Sequence, residues 1–182
     1  LDTFLLRTFQ RQIANQCYAA LMAAQIAQDA MNRNDQDAFW ASIQNCLTAV
    51  ANISKAFWGQ AGKFAKERKP LRDSLGVGNK SPLQQTSMRN NFEHFDERLD
   101  EWYTTSAQRN HIDYMIGPPN MIKGAADIDM FRVFDTTTGD VVFWGKRYPL
   151  NMIVQEIQRL HPLAVAEASK PHWDPPSPSG GQ

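Results

Sequence analysis

Between residues 3 and 32, apolar side chains return every three or four positions, through Leu5, Leu6, Phe9, Ile13, Cys17, Ala20, Ala24 and Ala27. No Gly or Pro interrupts them, so the pattern predicts one long helix with a single apolar face. The short polar "NRND" at 32–35 predicts a turn, with Asp35 as an N-cap. A second helix then follows Phe39, Ile43, Leu47, Val50, Ile53 and Phe57 up to the stop at Gly59 and Gly62. A connection this short predicts an antiparallel helix hairpin that opens a helical bundle.

The pattern fails over 59–80, where Pro70, Gly76 and Gly78 predict a loop with at most one helical turn. "SPLQ" at 81–84 restores it: Ser81 suits an N-cap, Pro82 the first helical position, and Gln84 a capping box. The helix it starts is expected to run to about Tyr103, with Met88, Phe92, Phe95, Leu99 and Trp102 on one stripe facing the core. Farther on, "MFRVFDTTTGDVVFWGK" reads as a β-hairpin at about 129–145, because β-branched and aromatic residues flank a Thr/Gly/Asp turn. Pro149 starts a last helix through Leu150, Ile153, Ile157 and Leu160, expected to break or kink before Pro162. The fold class is therefore mainly α: a helical bundle with a long antiparallel helix hairpin plus one small β-hairpin. Residues 1–168 make one domain, and the Pro/Ser/Gly-rich 169–182 is a loosely held tail.

Composition narrows the function classes. The chain has 182 residues and no net charge, so nucleic-acid binding would have to come from local charge asymmetry. No apolar run is long enough for a transmembrane span. The chain begins at Leu1 without Met and reads as trimmed, and no signal-peptide pattern stands at its start. Cys17 and Cys46 show no CxxC spacing and read as two buried thiols of a cytoplasmic protein; a hairpin would put them at similar heights, which leaves a disulfide open. His94, His111, His161 and His172 are scattered without metal-ligand spacing, and neither a metal nor a cofactor is expected.

Residues 88–102, "MRNNFEHFDERLDEW", are the most charged stretch of the chain. On a continuous helix Arg89 and His94 lie roughly 140° apart, one near each edge of the apolar stripe. That layout suits cleavage of an RNA phosphodiester without metal. A histidine moves the proton as the ribose 2′-OH attacks phosphorus. An arginine grips two phosphoryl oxygens as charge builds on them, and Asn90 beside it supplies a further hydrogen bond. The same text fits a solvated helix face, with Arg89–Glu93 and Glu93–Glu97–Arg98 as surface charge pairs. Lys63, Lys66, Arg68, Lys69 and Arg72 form a basic segment suited to an RNA backbone, or to plain solvation. Arg109-Asn110-His111 is a second small Arg/His cluster, and Phe131, Phe143 and Trp144 read as a small core rather than a base-stacking platform.

"RNNFEH", an Arg-Asn start with His five positions after the Arg on a helix of an α-helical domain, resembles the Arg-x4–6-His motif of HEPN domains. The resemblance covers the motif and, loosely, the helices over 3–103. It implies a metal-independent endoribonuclease of toxin–antitoxin or antiviral-defence systems, with Arg89, Asn90 and His94 in the catalytic roles above. It further implies a homodimer whose two motif sets line one cleft, an RNA substrate, and an antitoxin or other regulatory protein as partner. One toxin branch carries a modifiable Tyr two residues after the His. Asp96 stands there, so that form of regulation is not expected. The alternative is a non-catalytic helical interaction module, either an inactive HEPN-like domain or an unrelated bundle.

Overall fold

Asp2 and Asp35 each accept a backbone N–H three residues on, and these two caps start the two longest helices, α1 (Thr3–Asn32) and α2 (Gln36–Trp58). The computed structural model describes residues 1–118 and 121–173. Within them the chain is mainly α, adding α3 (Lys69–Ser74), α4 (Ser87–Glu93), α5 (Phe95–Thr105) and α6 (Leu150–Ala168) to the first pair. Residues 33–35 join α1 to α2, the two helices lie against each other, and Asn52 donates to Gln16 across them at 3.1 Å. Ala20, Ala23, Ala27 and Ala30 of α1 are all buried, and their small side chains let the second backbone approach closely. Gly59, at φ 76°, closes α2 as expected.

On the other flank of α1 lies α6, which buries Ile153, Ile157, Leu160 and Ala164 completely. Each of the three larger side chains contributes about 1.5–3 kcal/mol of transfer free energy. Contrary to the break expected before Pro162, α6 runs on to Ala168 with Pro162 inside it. Pro162 is solvent-exposed, so the ring sits on the outer face while Leu160 and Ala164 stay packed.

Two further expectations need correction. The helix expected over 82–103 is three pieces: a 3-10 turn at Pro82–Gln84, then α4, then α5. Ser81 does cap the turn, but Gln84 donates to the Asn79 carbonyl at 2.6 Å instead of closing a capping box. The apolar stripe breaks with the helix. Met88 and Phe92 are buried against α2, Leu99 and Trp102 are partly buried, and Phe95 is 59% exposed. Secondly, the β-hairpin is the centre of a four-stranded mixed sheet of β1 (Met115–Ile116), β2 (Val133–Asp135), β3 (Asp140–Phe143) and β4 (Lys146–Tyr148). β2 and β3 are the expected antiparallel pair, with Val133 opposite Val142; β1 adds to β2 in parallel, and β4 to β3 antiparallel. Trp144 and Gly145 form the two-residue link to β4 with φ of 48° and 71°. A Trp is rare at such a position, which is why no second turn was legible there.

One face of the sheet gives Val141 and Phe143 to the main core, and the other gives Val133 and Val142 to a smaller cluster with Met130. Of the expected tail, Ser169–Trp173 are described and 174–182 lie outside the described residues. Arg7 ties the end of α6 to the start of α1, reaching Glu167 at 3.1 Å and the Pro171 carbonyl at 3.3 Å. No helix among the described residues is long and apolar enough to cross a membrane.

Candidate functional site

His94 is the residue at which α4 ends and α5 begins, with φ −105° and ψ 42°. Its N–H donates to the Asn90 carbonyl as the last bond of α4, and its own carbonyl accepts from Arg98 as the first of α5. The break lets each short helix dock on its own surface. α4 inserts Phe92 beside Trp40 of α2, with ring centroids 6.2 Å apart. α5 is anchored by Trp102, whose Nε1 donates at 2.9 Å to the buried Asp129. Asp129 Oδ1 also accepts from Ser106 at 2.5 Å, while Oδ2 is buried without a hydrogen-bond partner among the described residues.

The imidazole of His94 is about half exposed, and Nδ1 lies 3.4 Å from Glu97. Arg89, less exposed, has its Nε 2.5 Å from Glu93, and its Nη1 is 3.4 Å from the Asn90 side-chain oxygen. Both members of the motif therefore face a carboxylate one turn along the chain. The helix breaks after His94, whose N–H still closes the last turn of α4, and the contacts divide the motif. Arg89, Asn90 and Glu93 form one contact group and His94 with Glu97 another. Glu97 was read only as a surface charge, although its spacing three residues after His94 could have suggested an orienting partner.

The basic segment divides. Arg68 lies between the rings of Phe9 and Phe64, 4.7 and 4.9 Å from their centroids, and donates to the carbonyls of Lys55 and Ala56. Arg72 is buried over Trp58 and donates to the Phe57 carbonyl at 2.7 Å. These two guanidiniums satisfy the Ala56 and Phe57 carbonyls that the last turn of α2 leaves open, and Arg68 adds a second donor to the Lys55 carbonyl, which also accepts from Gly59 N–H. Lys69 pairs with Asp73 at 2.6 Å. Lys63 sits over the Phe64 ring and, like Lys66, is exposed.

Arg109 stacks on the exposed Tyr103 at 4.1 Å, and His111 packs against Phe131 and Trp102. None of these contacts reaches Arg89 or His94. Phe131 and Phe143 are core residues, as expected, and Trp144 packs on their edge. Sequence reasoning missed Arg132, which clamps Asp113 with two guanidinium nitrogens and stacks on Tyr114 at 4.1 Å. Burial pushes the Asp113 carboxyl up, but the Arg132 hydrogen bonds and charge outweigh it and hold the group below the usual carboxylate range. Cys17 and Cys46 are buried and free, and burial pushes each thiol up to about 12. Among the described residues no group of three or more His, Cys, Asp or Glu is placed to hold a metal ion.

No family model, no curated protein and no solved structure matches this chain.

Proposed function

We propose that this protein is a metal-independent endoribonuclease of the HEPN type that cleaves RNA through attack of the ribose 2′-OH. The observation that carries the reading is the solvent-facing His94 at the α4–α5 junction, with Glu97 beside Nδ1 and the Arg89–Asn90 pair one turn earlier. A carboxylate that accepts Nδ1–H leaves Nε2 free to take the 2′-OH proton. O2′ then bonds to phosphorus, the bond to O5′ breaks, and O5′ takes a proton from the general acid. Arg89 binds the phosphoryl oxygens, which carry the most charge in the transition state. One chain supplies one imidazole, so base and acid together call for a homodimer that sets two His94 groups around one cleft.

The two longest helices fit the antiparallel hairpin of such a helical bundle, since three residues join them and Asn52 meets Gln16. Lys63 and Lys66, with their ammonium groups outside the Arg68 and Arg72 caps, suit contacts to the RNA backbone. A place in toxin–antitoxin or antiviral defence, a regulatory protein partner and a cytoplasmic setting rest on the resemblance and on the thiols alone.

One observation favours a second reading, a non-catalytic interaction module: Arg89 already has Glu93 at 2.5 Å. RNA cleavage in EDTA separates the two. The enzyme leaves 2′,3′-cyclic phosphate or 3′-phosphate ends, and His94→Ala slows it about 10²–10⁴-fold. Arg89→Ala costs a similar factor, and Arg89→Lys recovers little, because a point charge cannot reproduce the planar two-oxygen grip. Equal cleavage by wild type and His94→Ala prepared identically, or none by either, leaves the module. Light scattering that shows only monomer at tens of micromolar removes the composite site.

A further inference from the structure

Between α1, α2, the β2–β3 turn and the start of α6 lies a cleft of about 680 Å³, away from the α4–α5 junction. Volumes of a few hundred to a thousand Å³ are those that take small organic ligands. Its floor is apolar: Phe39, Ile43 and Leu150 are buried there, and Phe134 and Val154 form half-buried walls. The rim mixes polar groups with the half-buried Leu21, Ala24 and Met31, and no lining residue carries a charge. Its polar groups are the amides of Gln25, Gln28, Asn151 and Gln158 and the hydroxyls of residues 136–138, of which Thr137 donates to Asp135 and Thr138 accepts from Arg147.

This absence of charge departs from the composition of the chain. Charged residues make up 21% of the chain, so about four of the eighteen lining residues would carry charge at that average, and none does. A carboxylate, phosphate or ammonium entering here would lose water and find no charged lining residue, while Arg147 and Asp135, which reach the Thr138 and Thr137 hydroxyls, are already paired with each other. An uncharged ligand meets neither cost, because its body covers Phe39 and Phe134 while its edge exchanges water for side-chain amides and hydroxyls.

We propose that this cleft is a binding site for an uncharged small molecule with an apolar body and a hydrogen-bonding edge. The site is independent of the RNA-cleaving reading, since it shares no residue with the α4–α5 junction.

Dansylglycine is dansylamide with a carboxymethyl group on the sulfonamide nitrogen, so titrating each into the full chain, with the uncharged methyl ester of dansylglycine as the control for size, measures the preference for a neutral ligand. Dansylamide is expected to bind saturably at one site per chain, at least about tenfold more tightly than dansylglycine. Two variants block the cleft. Ala24→Phe fills it from α1, and Gln28→Trp covers it from an exposed rim position where a large side chain leaves the core intact. Both should abolish saturable binding, with an unchanged thermal midpoint for Gln28→Trp. Met22 and Ile26 form the exposed apolar face of the same helix, so the double variant Met22→Ser/Ile26→Ser tests non-specific adsorption and should bind as wild type. The proposal is overturned by dansylglycine binding as tightly as dansylamide or as its own methyl ester, by undiminished binding to Gln28→Trp, or by binding lost only in the serine double variant.

Discussion

Arg89 lies 2.5 Å from Glu93, so a phosphate arriving at this arginine competes with a carboxylate already in place. If Arg89 binds RNA, Glu93 lowers its affinity, and Glu93→Gln should tighten RNA binding several-fold at low salt. The gain should vanish when Arg89→Ala is added; filter binding on the four proteins of this double-mutant cycle gives the coupling. Independence of the two substitutions would make the ion pair a bystander. A second carboxylate has a clearer role. Asp135 is buried at the end of β2, where its Oδ1 accepts both the Oγ1–H and the N–H of Thr137, and its Oδ2 takes Arg147 at 2.8 Å. The Thr137 hydroxyl first, then Arg147, hold this carboxyl well below the usual carboxylate range. A folded-state value depressed below the unfolded value of about 3.9 stabilises the protein fully above that pH, and the contribution fades as pH falls below it. Asp135→Asn should therefore cost about 1–3 kcal/mol at pH 7, and the gap to wild type should narrow between pH 4 and 3 in urea titrations. A gap that stays constant with pH would show that Asp135 acts through shape alone.

At the level of elements, periodicity and capping made the two longest helices legible, because Asp35 and Gly59 bound α2 with standard chemistry and nothing inside either helix interrupts the apolar face. The β2–β3 pair was legible for the same reason: its turn ends in Gly139 at φ 74°. What failed was tertiary. "MRNNFEHFDERLDEW" keeps helical spacing straight through His94, with no Gly or Pro, while Phe92 docks on α2 and Trp102 on Asp129 on either side of the break, contacts that the local sequence does not announce. Arg68 and Arg72 look like any other cations until the end of α2 comes within reach. As for the candidate site, its residue types were readable, but the carboxylate beside each group was visible only as charge spacing. Pro162 failed in the opposite sense, since a residue that usually ends helices is tolerated here. It leaves the Gln158 carbonyl without its helical N–H while sitting on the exposed side of α6. Pro162→Ala should then raise stability by about 1–3 kcal/mol, read as a higher denaturant midpoint at unchanged slope. A lower midpoint would mean that α6 needs the ring to curve around α1.

Over the whole molecule, Cys17 and Cys46 report on cooperativity. Both are fully buried and their thiols are pushed up to about 12, so neither presents thiolate at neutral pH. N-ethylmaleimide should leave the native protein unlabelled at pH 7 and label both cysteines together once urea crosses the global transition. Early labelling of one thiol would reveal a locally opening region. The packing of α6 on α1, clamped by Arg7 and Glu167, also has a consequence for the chain during synthesis. The apolar face of α1 is made within the first 32 residues, but Ile153, Ile157 and Leu160 emerge from the ribosome more than a hundred residues later. Until they arrive, α1 has α2 and, near its start, the 64–74 segment for cover, and the side of its apolar face that α6 will bury stays wet and open to unintended neighbours. Contacts so far apart in sequence form late, so a chain halted before residue 150 should expose apolar surface that the finished protein hides.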